Sequence, residues 1–139
     1  KYKQIFIYKF NMTNVVGAVL IENKKIILPK RSEMLKKMPN KFEFPGGKLE
    51  DGEDKQQALE REILEELSVA IDIREELLTV DHEYPDFKIT MTCFACRIRE
   101  GTIQLSEHTE VILQKIKDLR KLDWLPADIP AVDYLMDNR

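Results

Sequence analysis

The sequence predicts an α+β fold, a mixed β-sheet core flanked by helices in α/β/α layers. Three observations lead there. The chain has 139 residues, 43% of them hydrophobic, which suits one domain with one sizeable core. Runs of strand-like alternation are interrupted by a single long stretch of helical period and closed by a second. The regular strand–helix repetition of a doubly wound fold is absent, so the sheet is expected to be mixed.

The elements follow in order. Lys3 to Phe10 alternates loosely and reads as an added edge strand within an N-terminal extension over residues 1–13, with a single domain over 14–139. Val15 to Glu22 is a strand, Asn23-Lys24 a turn, and Lys25 to Leu28 a second strand entering a polar loop from Arg31 to Lys41. Phe42 to Phe44 is a short strand stopped by Pro45-Gly46-Gly47. From Asp54 to Leu67 the period is helical, with Ala58, Leu59, Ile63, Leu64 and Leu67 on one apolar stripe. Strands return at Glu76–Glu83, Lys88–Arg99 and Thr102–Leu105, joined by hairpin turns at Pro85-Asp86 and Glu100-Gly101. Val111 to Leu113 is a further short strand. A last helix spans Ile129 to Met136, with Asp128 as N-cap and Pro130 in the first turn. Trp124 is expected to anchor it by packing.

Charge and cysteine usage narrow the partners. Twenty-two Lys and Arg against 25 Asp and Glu give a net charge of −3, so no global positive field draws the chain to polymeric nucleic acid or anionic lipid. The longest apolar run, Val15 to Ile21, is far short of the ~20 residues of a membrane span, and no secretory signal is visible. Cys93 and Cys96 lie in one strand-like run at a spacing that points them to opposite faces. With no second Cys/His pair for zinc, they read as reduced thiols of a cytoplasmic protein. His82 and His108 have no ligand-spaced partner and read as surface or hydrogen-bonded structural residues.

One segment carries chemistry. On the first helix Glu62, Glu65 and Glu66 fall on one side, where three like charges repel and the sequence offers little local Lys or Arg to offset them. A solvated acidic face is one reading. A site for a hard divalent cation, which carboxylate oxygens suit, is the other. The turn Gly46-Gly47 before it permits close approach of a phosphate, with Lys48 as a point charge beside it. Arg61, eight residues after Glu53, can pin that loop to the helix by a bidentate pair.

Gly47, five residues, Glu53, seven residues, then Arg61-Glu62-Ile63-x-Glu65-Glu66-x-Ser68-Val69 resembles the Nudix box, G-x5-E-x7-R-E-U-x-E-E-x-G-U with U bulky and apolar. Eight of the nine specified positions match. Ser68 stands where the box has glycine, just past the helix, and is expected to cost about 1 kcal/mol or to bend the helix exit. Phe42 to Lys48 resembles the entry strand of the MutT-like branch, Glu83 to Asp86 its later hairpin, and Leu125 to Pro130 its base-recognition segment.

The resemblance implies a hydrolase that cuts nucleoside triphosphates, of the oxidised purine or cytidine type, to monophosphate and pyrophosphate. It implies Mg²⁺, with Mn²⁺ as a substitute, on Glu62, Glu65, Glu66 and the Gly46 carbonyl, with Glu62 or the loop residue Glu107 near the metal as the group that activates water. Gly47, Glu53 and Arg61 would frame the site. Arg31 and Lys48 would contact phosphate or sugar, Phe44 would wall the base pocket, and Asp128 would read the base unless it only caps its helix. Phe87 follows the Pro-Asp turn where one branch has a cation, which favours stacking over charge. The implied partner is a small nucleotide, and the protein would be a monomer or homodimer. Two other classes stay open at this stage, a nucleotide-binding sensor without turnover and a plain acidic interaction domain. A Nudix hydrolase for another nucleoside diphosphate derivative, such as ADP-ribose, is a further alternative.

Overall fold

The computed structural model describes residues 12–31, 41–85, 87–105 and 108–138. The Lys3–Phe10 strand, most of the polar loop and Glu107 therefore lie outside the described residues, as does Asp86 of the hairpin turn. The elements are β1 (Met12–Glu22), β2 (Lys25–Arg31), β3 (Gly46–Lys48), α1 (Lys55–Leu67), β4 (Ala70–Glu83), β5 (Lys88–Glu100) and β6 (His108–Lys115). Two 3-10 turns, Ile116–Lys121 and Pro126–Asp128, then lead into α2 (Ile129–Asn138).

The sheet order is β4-β5-β1-β2-β6. β1 runs parallel to β5 from Met12 to Leu20, and every other pairing is antiparallel, so the sheet is mixed as expected. The other side of β1 is shared: β3 pairs with Val15–Gly17 and β2 with Leu20–Glu22. Between them the Ala18 N–H donates to the Pro45 carbonyl at 2.8 Å, which keeps a buried backbone donor satisfied. Alternation along β1 then sorts the layers. Val16, Ala18 and Leu20 pack under α1 through Ala58, Leu59, Ile63 and Leu67. Val19 packs on the opposite side with Trp124 and with Ala131, Val132 and Leu135 of α2. Cys93 and Cys96 fall one in each layer, both free and buried, as their spacing predicts.

Several expectations are corrected. Phe42–Phe44 is not a strand: Phe42 makes isolated bridges to Lys30 and Trp124, and the glycines begin β3 instead of stopping it. Only a residue without a side chain fits there, since a Cβ on Gly46 would run into the Val16 carbonyl. β2 reaches Arg31, which is its last residue and not the first of the loop. β4 starts six residues before Glu76, its pairing shifted at three bulges that hide the period-2 signal. Thr102–Leu105 leaves the sheet. After the left-handed Gly101 the chain runs over the end of α1, where the Gln104 N–H donates to the Leu67 carbonyl at 2.9 Å, so Glu100-Gly101 closes no hairpin. β6 extends from His108 to Lys115 because it pairs with all of β2, and polar edge positions such as Glu110 and Gln114 masked it.

Leu64 is 58% exposed, outside the stripe that Leu59, Ile63 and Leu67 make at spacing four. Trp124 does anchor the C-terminal segment, its indole N–H donating to the Leu119 carbonyl at 2.8 Å. Among the described residues no helix is long and apolar enough to cross a membrane.

Candidate active site

The loop and helix that carry the acidic residues are built as one rigid unit. Asp54 caps α1: its carboxylate accepts from the Gln57 N–H at 2.8 Å while the Gln57 side chain accepts from the Asp54 N–H at 3.0 Å. At the other end Ser68 takes the left-handed conformation (φ 62°, ψ 31°), with its N–H on the Leu64 carbonyl. The helix exit is therefore not bent; serine occupies the position that glycine favours.

Arg61 is the hub. Its Nε and Nη2 donate to the two Glu53 oxygens at 2.6 and 2.9 Å, the bidentate pair that the spacing predicts. Nη2 also donates to the Lys48 carbonyl at 3.0 Å, which ties β3 to the helix. Glu53 Oε1 accepts from the Glu50 N–H at 2.8 Å. Its hydrogen bond from Arg61, then that from Glu50, holds the Glu53 carboxyl below the usual carboxylate range.

The expectation that little local Lys or Arg offsets the acidic face is corrected by Arg61. Arg61 Nη1 donates to Glu62 Oε1 at 2.9 Å and to Glu65 Oε2 at 3.2 Å, so one guanidinium offsets the like-charge repulsion. In this arrangement the carboxylates are not gathered on one point, and among the described residues no three His, Cys, Asp or Glu side chains are grouped as a metal would require. The donor set nonetheless fits a hard cation. All the side-chain donors are carboxylate oxygens, and Glu62, half-buried, lies directly over Gly47: a Cβ there would come within 2.5 and 2.6 Å of the two Glu62 oxygens. The glycine turn is thus the floor beneath the Glu62 carboxylate.

Three residues before Gly47, the Phe44 N–H donates to Asp128 Oδ1 at 3.2 Å, joining segments 84 residues apart. Asp128 is 4% exposed and belongs to a 3-10 turn that continues into α2, which corrects its expected place as the N-cap that opens the helix. Phe44 is buried, its ring 4.9 Å from that of Trp124. The C-terminal segment is held in place by backbone bonds from Phe42 N–H to Asp123 and from Leu125 N–H to Phe42. Cys93 lies close to this corner, its thiol pushed up by burial and, next, by the charge of Asp128. Nothing in the sequence links Cys93 to Asp128, because the contact is made by the fold alone. The Tyr84 hydroxyl accepts from the Ala127 N–H at 3.3 Å, and its ring stacks on Phe87 at 5.0 Å. Phe87 is 45% exposed at the β4–β5 hairpin. Lys48 is exposed at the end of β3, and Arg31 pairs in register with His108.

Known proteins match nearly the whole chain. The NUDIX domain profile covers residues 12–135. The CTP pyrophosphohydrolase of Escherichia coli K12 is 30% identical over 125 residues, spanning 90% of this chain and 92% of that protein. The 8-oxo-dGTP diphosphatase of the same strain is 32% identical over 120 residues, 86% and 92% of the two chains. Among solved structures, the DNA mismatch repair protein MutT (family Nudix hydrolase) of methicillin-resistant Staphylococcus aureus 252 superposes with a TM-score of 0.74 at 37% identity. That match covers 93% of this chain and 98% of the other. The E. coli ORF135 protein superposes with a TM-score of 0.78 at 29% identity, covering 91% and 90%.

Proposed function

The chain belongs to the NUDIX family as a MutT-like hydrolase, and from that premise we propose that it cuts nucleoside triphosphates to monophosphate and pyrophosphate, with cytidine or oxidised purine nucleotides as substrates. The observation that carries the reading is the Glu62 carboxylate seated over the Gly47 backbone and framed by the Arg61–Glu53 clasp.

Nudix hydrolases generally act with a divalent metal. Glu62, Glu65 and Glu66, with the Gly46 carbonyl, would hold it here, and an all-oxygen set favours Mg²⁺ with Mn²⁺ as substitute. When bound, the cation supplies the positive charge that a polyphosphate needs in an acidic site and lowers the pKa of the attacking water. The chain's own contributions are positional. The Gly46-Gly47 turn lets the phosphates approach the backbone, and Lys48 at its end adds a point charge. Glu62 takes the proton of the attacking water, with Glu107 the second candidate for that step. Arg31 contacts the phosphates or sugar. Phe44 and Asp128 face the base, and Phe87 stacks on it from the hairpin. The free, buried Cys93 and Cys96 are consistent with a cytoplasmic setting.

The test is a panel of CTP, 8-oxo-dGTP and UTP in Mg²⁺, with the products identified. Monophosphate and pyrophosphate are expected, and Glu66→Gln should lower kcat by orders of magnitude while the protein stays folded. Orthophosphate from a triphosphate, or near-normal activity of folded Glu66→Gln, would overturn the reading.

A further inference from the structure

A second charged groove lies away from the Glu62 face. It has a volume of about 780 Å³ and is rimmed by Lys24 and Lys25 at the β1–β2 turn, by Lys115 at the end of β6 and by Lys117 in the 3-10 turn after it, with Ile21 and Ile116 also lining it. In the strand register Lys25 stands opposite Glu22 at the end of β1, whereas Gly47 stands opposite Val16. Six residues of strand place the groove roughly 20 Å from the candidate active site.

Three features make it more than a stretch of surface lysines. The four ammonium groups come from two segments far apart in the chain yet, among the described residues, none forms an ion pair with a carboxylate; the nearby acids Asp118 and Asp137 are instead engaged by Lys121 and Arg120. The turn is fixed in place, because its Lys24 carbonyl accepts the Ile116 N–H that opens the following 3-10 turn. Lys24 itself is held at φ 63°, beside Asn23 at φ 52°, where glycine or asparagine is the usual second residue of such a turn. A lysine kept in a disfavoured backbone conformation at the rim of a cationic groove points to a role for its charge. At the far side Asn138 donates to the Tyr134 carbonyl, so part of the negative end of α2 is already engaged.

We propose that this groove binds a small polyphosphorylated anion, a free polyphosphate or the phosphate chain of a nucleotide, at a site distinct from the hydrolytic one. Its volume is of small-molecule size. Four unpaired ammonium groups are suited to the several charges of a polyphosphate, and the isoleucines offer an apolar floor to any attached group.

The experiment titrates inorganic tripolyphosphate into the ¹⁵N-labelled full chain with chelator and no divalent cation, so the result does not depend on whether the chain hydrolyses nucleotides. Saturable amide shifts are expected at Lys24, Lys25 and Lys115–Lys117, with affinity falling tenfold or more from 50 to 500 mM salt. The exposed double variant Lys24→Gln/Lys117→Gln should bind at least tenfold more weakly at unchanged melting temperature. A parallel titration with a non-hydrolysable nucleoside triphosphate separates the two sources: tighter binding than tripolyphosphate assigns a nucleotide, equal binding a bare polyphosphate. Shifts confined to the β3–α1 region, a response that does not saturate, or a single-stranded oligonucleotide binding a hundredfold more tightly than both would overturn the proposal.

Discussion

At Gly47 the missing side chain leaves room for the Glu62 carboxylate. Its backbone is one that any residue adopts, and the atoms a new methyl would meet are the far end of a flexible glutamate. Gly47→Ala should therefore displace Glu62 without breaking the fold, lowering kcat tenfold or more while the melting temperature moves by no more than about 2 °C. Unchanged kcat in that variant would mean that the Glu62 position is not used. Asp128 invites a different substitution. Asn keeps an oxygen for the Phe44 N–H but turns the other acceptor into a donor, and a carboxylate that only accepts favours bases presenting N–H groups. Asp128→Asn is expected to shift kcat/KM ratios among CTP, 8-oxo-dGTP and UTP by tenfold or more, about 1.4 kcal/mol. Flat ratios with an altered melting temperature would leave Asp128 a purely structural tie. The box residues were legible because their chemistry is local, spaced along one loop and one helix. The Phe44–Asp128 bond was not, since each residue's partner lies 84 positions away.

At the scale of the element, α1 is legible almost to the residue because its helical period is a local signal, while its capping box at Asp54 and Gln57 is found in the structure. The full lengths of β4 and β6 are not legible, because bulges and polar edge positions erase the alternation of each strand, whose extent is set by pairing with its neighbour. Two consequences of α1's ends can be measured. Ser68 in the left-handed region carries a side-chain penalty that glycine lacks, so Ser68→Gly should stabilise by about 0.5–1 kcal/mol, a few degrees in melting temperature. At the other end the Glu53–Arg61 clasp sets a pH dependence. The folded Glu53 carboxyl titrates below its ordinary 4.5, so its stabilisation is complete above that value and is lost as pH falls through the lower folded value. Melting curves of the parent and Glu53→Gln should differ at neutral pH and converge in acid. A constant offset down to pH 2 would show that the clasp's ionisation contributes nothing.

At the scale of the molecule, the layer architecture was legible from composition and the order of periods, but the parallel β1–β5 pairing was not. The pairing joins segments more than 70 residues apart, so no local signal carries it, while α1 and the C-terminal segment cover the two faces of the sheet. The two cysteines report on that arrangement. Cys93 is buried in the layer under α2 and Cys96 in the layer under α1, where its S–H contacts the Phe94 carbonyl at 3.4 Å. Burial is the main cause that raises both thiols, Cys96 to about 12, so at pH 8 almost no thiolate exists in the folded state and labelling must wait for opening. If the sheet and both covering layers open as one cooperative unit, the two thiols should react with a disulfide reagent at one common rate, and that rate should follow global stability as urea is added. Comparing Cys93→Ala with Cys96→Ala measures each thiol alone. A faster, urea-insensitive reaction at Cys93 would instead show that the α2 side opens by itself, exposing the Phe44–Asp128 corner without unfolding the Glu62 helix.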